Sequence, residues 1–332
     1  MSKKKKWTLI IAVPLLLVII AAGSYAAYLY NKTENMVSDS QEKVGRENDT
    51  SELRSETVNP VEDNVSALFI GVDNSEHRNE AQARSDALIL ATFNKENSSV
   101  KLLSIPRDSY VYVPEMNQHT KINHAHFHGG PKATIETVEN FLDVPVDYYA
   151  KMNFEGFVEV VDALGGINYD VPYELWESDS NDDKNSIHLM PGEQHLNGEE
   201  ALALARTRKY DNDVERGKRQ QEILKTIANK ATSASSVFKL GETIDAVGDN
   251  LTTSLSFDDM KSFLDYGLDE NISIETVNLE GNGGYMDDGL WYYQVNEESK
   301  NDMRAELRSH LDLQQNIGTS DYADNDKSHN TY

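Results

Sequence analysis

The chain has no cysteine. That removes disulfides and thiolate chemistry from every reading that follows. Cationic residues are scarce: 31 lysines and arginines face 56 aspartates and glutamates, for a formal net charge of −25. Such a surface repels polyanions at long range and stays soluble. Nucleic-acid binding, which leaves a basic footprint, is set aside on that ground. Any anion this chain binds must be gripped locally, against the overall field. No internal repeat is present, so solenoids and propellers are set aside too.

Long apolar runs are confined to one. Lys3 to Lys6 form a basic block, and Trp7 to Tyr30 then carries no charge, with Pro14 and Gly23 inside it. A helix crossing the hydrocarbon core needs about 20 such residues. Trp7 at one end and Tyr25, Tyr28 and Tyr30 at the other suit interfacial positions, and the lysines set the cytoplasmic side. The expectation is a cytoplasmic tail at 1–6, a transmembrane anchor at 7–30, and a single-pass cell-membrane protein whose remaining chain faces outward. A cleaved signal peptide is the competing reading, with Ala21, Ala22 and Ala26-Ala27 as small residues for cleavage. Beyond the run lie all 56 acidic residues and 27 of the 31 basic ones.

Residues 31–63 are polar and almost without large apolar side chains, which predicts a disordered spacer. From 64 to 313 the pattern is that of one folded domain, and 314–332 turns polar again as a disordered tail. Short continuous apolar runs at 67–72, 87–93 and 100–105 predict strands buried on both faces. Helical spacing follows Pro131, a strand covers 147–152, and a helix at 154–164 ends at Gly165-Gly166. A strand at 167–171, an acidic loop at 176–185, helices at 199–208, 214–231 and 256–268, and a strand at 272–279 complete the reading. Gly281-Asn-Gly-Gly284 reads as a flexible turn. The alternation predicts an α/β domain, a central mixed sheet covered by helices on both faces as an α-β-α sandwich.

Arginine is the scarce residue that is concentrated. There are eleven, and six sit in three polar blocks: Arg84-Ser85-Asp86, Pro106-Arg107-Asp108, and the run from Arg206 and Arg208 through Asp213 to Arg216, Arg219 and Gln220. Guanidinium is a planar fork that fits phosphate or carboxylate oxygens bidentately. Each block alone could be structural Arg–Asp pairing; together they suggest one pocket for a multiply charged anion. Asp73 ends the first predicted strand and Arg107 and Asp108 follow the third, so all three would meet at one sheet edge, where open α/β sheets bind ligands. Arginines neutralise nonbridging phosphate oxygens, while carboxylates hold a hard cation or accept a proton.

Eleven short matches, in order over about residues 64–232, resemble the LytR-CpsA-Psr family of Gram-positive cell walls. They are Gly71-Val72-Asp73, Arg84-Ser85-Asp86, Ser104-Ile-Pro-Arg-Asp108, Lys121-Ile-Asn123, Gly129-Gly130, Asn153-Phe-Glu-Gly-Phe157, Val161-Asp-Ala-Leu-Gly-Gly166, Leu196-Asn-Gly198, Ala201-Leu202, Ala205-Arg-Thr-Arg208, and Asp213 through Arg216 to Arg219-Gln220-Gln221. The resemblance implies an extracytoplasmic, Mg2+-dependent phosphotransferase, with Mn2+ as a substitute. Such an enzyme moves an anionic glycopolymer, a wall teichoic acid or capsule-like polysaccharide, from undecaprenyl pyrophosphate to the 6-hydroxyl of N-acetylmuramic acid in peptidoglycan. It implies a prenyl tunnel within the fold. It gives Asp73 and Asp86 as metal-associated and catalytic carboxylates, with Arg107 beside them; it leaves open which aspartate takes the proton, and the expectation here is Asp86, with Asp73 nearer the metal. Arg84, Arg107, Arg206, Arg208, Arg216 and Gln220 match the pyrophosphate contacts, and Lys121 matches the same role more weakly.

Two alternatives share these residues: a polyprenyl-pyrophosphate pyrophosphatase and a non-catalytic receptor for lipid-linked glycans. One departure stands out. Where the family has aromatic residues after Lys-Ile-Asn, this chain has His124, His126 and His128. Alternate spacing on an extended segment would put all three on one face, as a zinc site needs; the plainer reading is imidazoles replacing aromatic rings near the pocket.

Overall fold

The computed structural model describes residues 24–25, 27–46, 49–73, 83–209, 213–232, 248, 250–268 and 272–313. Strands β1 (Val65–Val72), β2 (Ser85–Asn94) and β3 (Ser99–Ser104) run antiparallel in sequence. Side chains alternate across them, as the period of two requires. Leu68, Ile70, Leu88, Leu90 and Leu103 enter one core, while Ile89, Ala91, Val100 and Leu102 enter another. Both faces are therefore buried, which is why these strands read as unbroken apolar runs.

Hairpin β4 (Tyr110–Val113) and β5 (Gln118–Lys121) leads to helix α1 (His124–Leu142), whose Gly129 and Gly130 are non-helical, so the regular turns restart at Pro131. β6 (Tyr148–Asn153) lies parallel to β1, and α2 (Phe154–Ala163) follows at once. Asn153 caps α2 by accepting from Gly156 N at 2.7 Å, worth about 1 kcal/mol. Gly165 and Gly166 then take φ of 79° and 78°, as the C-cap reading expects. β7 (Ile167–Val171), the hairpin β8 (Leu175–Glu177) and β9 (Ile187–Leu189), β10 (Gly192–Leu196), α3 (Gly198–Arg206) and α4 (Asp213–Ala231) build a second core. β11 (Leu251–Thr253), α5 (Phe257–Leu268), β12 (Ser273–Asn278), the hairpin β13 (Gly281–Tyr285) and β14 (Trp291–Val295), and α6 (Glu297–His310) complete the described chain.

The central sheet runs β11-β6-β1-β2-β3-β12. Its β1–β6 and β3–β12 pairs are parallel and the others antiparallel, so it is mixed. Ile135 and Val138 of α1 and Leu307 of α6 pack on one face, and Leu224 of α4 packs on the other.

Four expectations are corrected. Residues 31–63 are no loose spacer. Residues 27–40 are helical, Val37 and Val44 are buried, and Gln41 bridges Thr253. Arg46 Nη1 lies 2.9 Å from Glu139 Oε1, and Arg54 grips Asp147 with two bonds of 2.9 and 2.6 Å. Two valines and two paired arginines anchor a segment whose composition reads as unfolded. Gly281–Gly284 belongs to β13 and is no free turn, because its backbone is paired along β14. The acidic stretch 176–185 begins inside β8, although 178–186 is loop as expected. Finally, His124, His126 and His128 lie on a helical turn, so they do not share one face as an extended segment would. The anchor and the tail at 314–332 lie largely or wholly outside the described residues; among the described residues, no helix is long and apolar enough to cross a membrane.

A buried histidine in this scaffold gives a pH-dependent stability. His310 Nδ1 lies 2.8 Å from Thr92 Oγ1, and Nε2 lies 2.8 Å from Ser99 Oγ. Burial and the charge of Lys101 push its pKa down to about 4. Above the unfolded value near 6.5 the ring is neutral in both states. As pH falls from there toward 4, the unfolded chain takes up a proton that the folded one refuses, and about 3 kcal/mol of stability is lost. Urea unfolding at pH 7.5 and pH 5 should show a larger fall for the wild type than for His310→Gln. Equal falls would remove His310 as the cause.

Candidate active site

The cradle is assembled at the ends of β1, β2 and β3. The β1–β2 register shifts where Gly71 pairs Ala87 but Val72 pairs Ser85, leaving Asp86 as the extra residue of a bulge. Bulges re-aim side chains, and Asp86 lines a cavity beside Asp73 at the end of β1. After β3, the Pro106 carbonyl accepts from Ser109 N at 2.9 Å and Ser109 Oγ at 2.7 Å, a tight turn that presents Arg107 and Asp108. Arg107 Nη1 donates to Asp86 Oδ1. Asp86 Oδ2 carries no hydrogen bond among the described residues.

α4 brings the third block. Its Gly217 packs on Ser104, where a Cβ would sit 3.0 Å from the serine Cβ and closer still to its hydroxyl. Only glycine allows that approach, and it lays the neighbouring Arg216 against the end of β3. Arg216 Nη2 is 3.0 Å from Asp213 Oδ1, with both side chains 5% exposed. Arg208 reaches Asp108 at 3.8 Å and Asp213 at 3.9 Å. Arg206 lies over the Phe154 ring at 4.8 Å and donates to the Asp179 carbonyl at 3.2 Å. Gln220, one turn beyond Arg216, donates to the Ala205 carbonyl at 3.2 Å. Arg219 has a different duty: it is buried and donates to the Leu204 and Thr207 carbonyls at 2.7 Å each, fixing the segment that carries Arg206 and Arg208. Lys121 Nζ lies 2.9 Å from Asp108 Oδ1, and exposed Arg84 stands at the rim.

Asp73, Arg84, Asp86, Arg107, Lys121, Arg206, Arg208, Arg216 and Gln220 thus line one cavity of about 1680 Å3. Its seven cationic side chains (Arg84, Arg107, Lys121, Arg206, Arg208, Lys209 and Arg216) face five carboxylates (Asp73, Asp86, Asp108, Glu177 and Asp213). The remaining excess of two positive charges suits a doubly ionised diphosphate. Burial opposes the charge on Arg107, but Asp86, Asp108 and Asp213 outweigh it and hold its pKa above the usual arginine value. For Arg216, burial and the nearby Arg107 and Arg208 push the value down to about 10 against the pull of Asp213, so it stays charged at neutral pH.

Away from the charges the same cavity is lined by Phe69, Ile89, Met152, Phe157, Leu224 and Ile227. Ordinary small-molecule pockets hold about 300–1,000 Å3, so there is room for a long apolar chain behind the anion. Helix α2 therefore serves two roles: Val161 is core, while Phe154 and Phe157 line the cavity.

Asp108 is the residue to which the sequence gives a place but no role. Its carboxylate joins Lys121, Arg208 and, at 3.9 Å, Arg107. The adjacent arginine was the signal. Trp291, from a region with no legible motif, also lines the cavity. Tyr149 is buried, with its hydroxyl donating to the Glu42 carbonyl at 3.0 Å. His126 Nδ1 meets the Ala83 carbonyl at 2.8 Å, and His124 Nδ1 meets Thr120 Oγ1 at 2.9 Å. Burial, then Arg84, Lys121 and His128, lower the His124 pKa, so its ring is neutral at pH 7. Among the described residues, no group of three or more His, Asp or Glu is placed to hold a metal.

Fold and site together define a class: an α/β protein with a net-cationic cradle at the mouth of a large, partly apolar cavity. The chain belongs to the LytR_cpsA_psr family, whose pattern it matches over residues 27–309. It is 37% identical over 312 residues to the Bacillus subtilis polyisoprenyl-teichoic acid–peptidoglycan teichoic acid transferase TagT, covering 93% of this chain and 96% of that one. It is 35% identical over 297 residues to the corresponding transferase TagU of Bacillus anthracis, covering 89% and 94%. Among solved structures it resembles TagT bound to LIIa-WTA, with a TM-score of 0.70, 35% identity, and coverage of 82% and 99%. TagT (YwtF) with bound octaprenyl pyrophosphate lipid is similar as well, with a TM-score of 0.65, 33% identity, and coverage of 80% and 97%.

Proposed function

We propose that the protein transfers an anionic glycopolymer from a polyprenyl pyrophosphate carrier to peptidoglycan. One observation carries this reading: a net-cationic cradle opens into the same cavity, of about 1680 Å3, as an apolar lining roomy enough for a prenyl tail. The donor is undecaprenyl-linked and the acceptor is the 6-hydroxyl of N-acetylmuramic acid. The acceptor oxygen attacks the phosphorus that bears the polymer, the bond to the bridging oxygen breaks, and polyprenyl phosphate leaves. Asp86 takes the hydroxyl proton on Oδ2, while Arg107 holds that carboxylate by Oδ1. Arg107 and Arg216 face the nonbridging oxygens, where charge spreads in the transition state. Arg84, Lys121, Arg206, Arg208 and Gln220 hold the rest of the diphosphate.

A hard divalent ion fits the donor set, because Mg2+ is usually held by one or two carboxylates plus substrate phosphates. Asp73 and Asp86 would hold it, and Mn2+ would serve in its place. When bound, it neutralises phosphate oxygens. The apolar run at 7–30 would tether the chain to the cell membrane with its catalytic domain outside.

The test is to incubate the purified chain with a lipid-linked teichoic acid precursor, Mg2+ and peptidoglycan, following released polyprenyl monophosphate and polymer on peptidoglycan together. The two should rise in step. Release that ignores the acceptor would favour a pyrophosphatase, and tight lipid binding without any release would favour a receptor.

A further inference from the structure

Outside the cavity, one aromatic pair is built for a ligand that the site described above does not hold. In the β8–β9 hairpin, Leu175 pairs Leu189 and both are buried in the second core. The next cross-strand pair, Trp176 and His188, therefore points outward. The two rings stack with centroids 3.7 Å apart and planes 11° apart. His188 Nε2 is in turn 3.0 Å from Glu174 Oε1. One indole face is covered and its orientation set, yet Trp176 remains 44% exposed. A flat ring already held in place loses little freedom when something stacks on it.

The hairpin is tied to the cradle. Lys209 Nζ donates to the Trp176 carbonyl and lies 3.3 Å from Glu177 Oε1, and both Lys209 and Glu177 line the cavity. Arg206 binds the same lip through the Asp179 carbonyl and Asp182. Trp176 is thus one residue, about 3.3 Å along a strand, from a cavity-lining position.

Charge selects the occupant. Glu174, Glu177, Asp179, Asp182 and Asp183 crowd this lip, and such a field repels the polyanionic donor chain. A glycan backbone of N-acetylated pyranoses carries no charge on its ring faces. Its C–H face can lie on an indole, and its hydroxyls and amides can donate to carboxylates. We propose that the Trp176–His188 pair is the stacking plate for the peptidoglycan glycan backbone, the acceptor in the transfer reading on which this inference rests.

The test uses the full-length chain, with Trp176→Leu and Trp176→Tyr, and as probe an N-acetylglucosamine–N-acetylmuramic acid tetrasaccharide whose lactyl carboxyls are capped as amides. Trp176→Leu should raise the acceptor KM about tenfold, the equivalent of one lost aromatic stack. It should leave kcat at saturating acceptor and the Kd for octaprenyl pyrophosphate within about twofold, and Trp176→Tyr should restore most of the acceptor affinity. An unchanged acceptor KM in Trp176→Leu, or a loss that falls on the prenyl pyrophosphate, would overturn the proposal. Equilibrium binding of the tetrasaccharide separates this from failure of the transfer reading. Saturable binding to wild type that is lost in Trp176→Leu supports the plate even if no transfer occurs, and absence of binding to wild type overturns it even if transfer does.

Discussion

Arg107→Ala should lower polymer transfer by about a thousandfold, the scale of removing an arginine that stabilises a phosphoryl transition state. Arg107 bridges two carboxylates, donating to Asp86 and lying 3.9 Å from Asp108. Losing it removes a permanent charge and frees Asp86 from its fixed orientation at once. The fold should survive, because Asp108 keeps Lys121 and Arg208 as partners. Asp86→Ala should abolish transfer similarly, by removing the proposed proton acceptor. Arg107→Lys should fall between, since it keeps charge but loses the planar fork. Initial rates from lipid-linked polymer, with circular dichroism to check folding, would decide; near-normal transfer by either alanine variant would end the assignment.

The second large effect concerns the scaffold. Asp147→Ala should destabilise the protein by about 3–5 kcal/mol, the usual cost of stranding one partner of a buried ion pair. Asp147 and Arg54 have side chains only 3% and 7% exposed. The same carboxylate accepts from Ser66 N at 2.8 Å and Ser66 Oγ at 3.1 Å, holding the start of β1. Truncation therefore leaves a buried guanidinium and a buried backbone N–H without their acceptor. Urea unfolding would measure the loss, and the double variant Arg54→Met, Asp147→Leu should recover more than about half of it by removing both charges. A single variant within about 1 kcal/mol of wild type would show the pair to be incidental.

Strands β1, β2, β3, β6 and β7 and helices α2, α3, α4 and α5 were legible because each has an apolar period or a run ended by glycine or proline. The candidate cradle was legible because arginine is rare here and clusters where strands end. What stayed hidden depends on partners distant in sequence. Arg46 and Arg54 look like spacer charges until Glu139 and Asp147 are beside them. Asp86 gives no sign of its bulge, since the register shift belongs to the pairing with β1. The histidines mislead for a local reason: alternate spacing suggests a strand only if the backbone is extended, and here the chain turns helical at His124. Trp291 could not be placed at the cavity, because the hairpin that carries it docks through a backbone bond from Tyr293 N to the Asp108 carbonyl at 2.9 Å.

The packed course of residues 31–63 has a mechanical outcome. A loose chain of that length would be a leash of up to about 110 Å, letting the domain swing to distant acceptors. Instead its length is taken up against the body of the domain, from the helical residues 27–40 through Val37, Val44, Arg46 and Arg54. Whatever fixes residue 27 in space therefore fixes the height and tilt of the cavity mouth, and under the proposed transfer the acceptor must come to it.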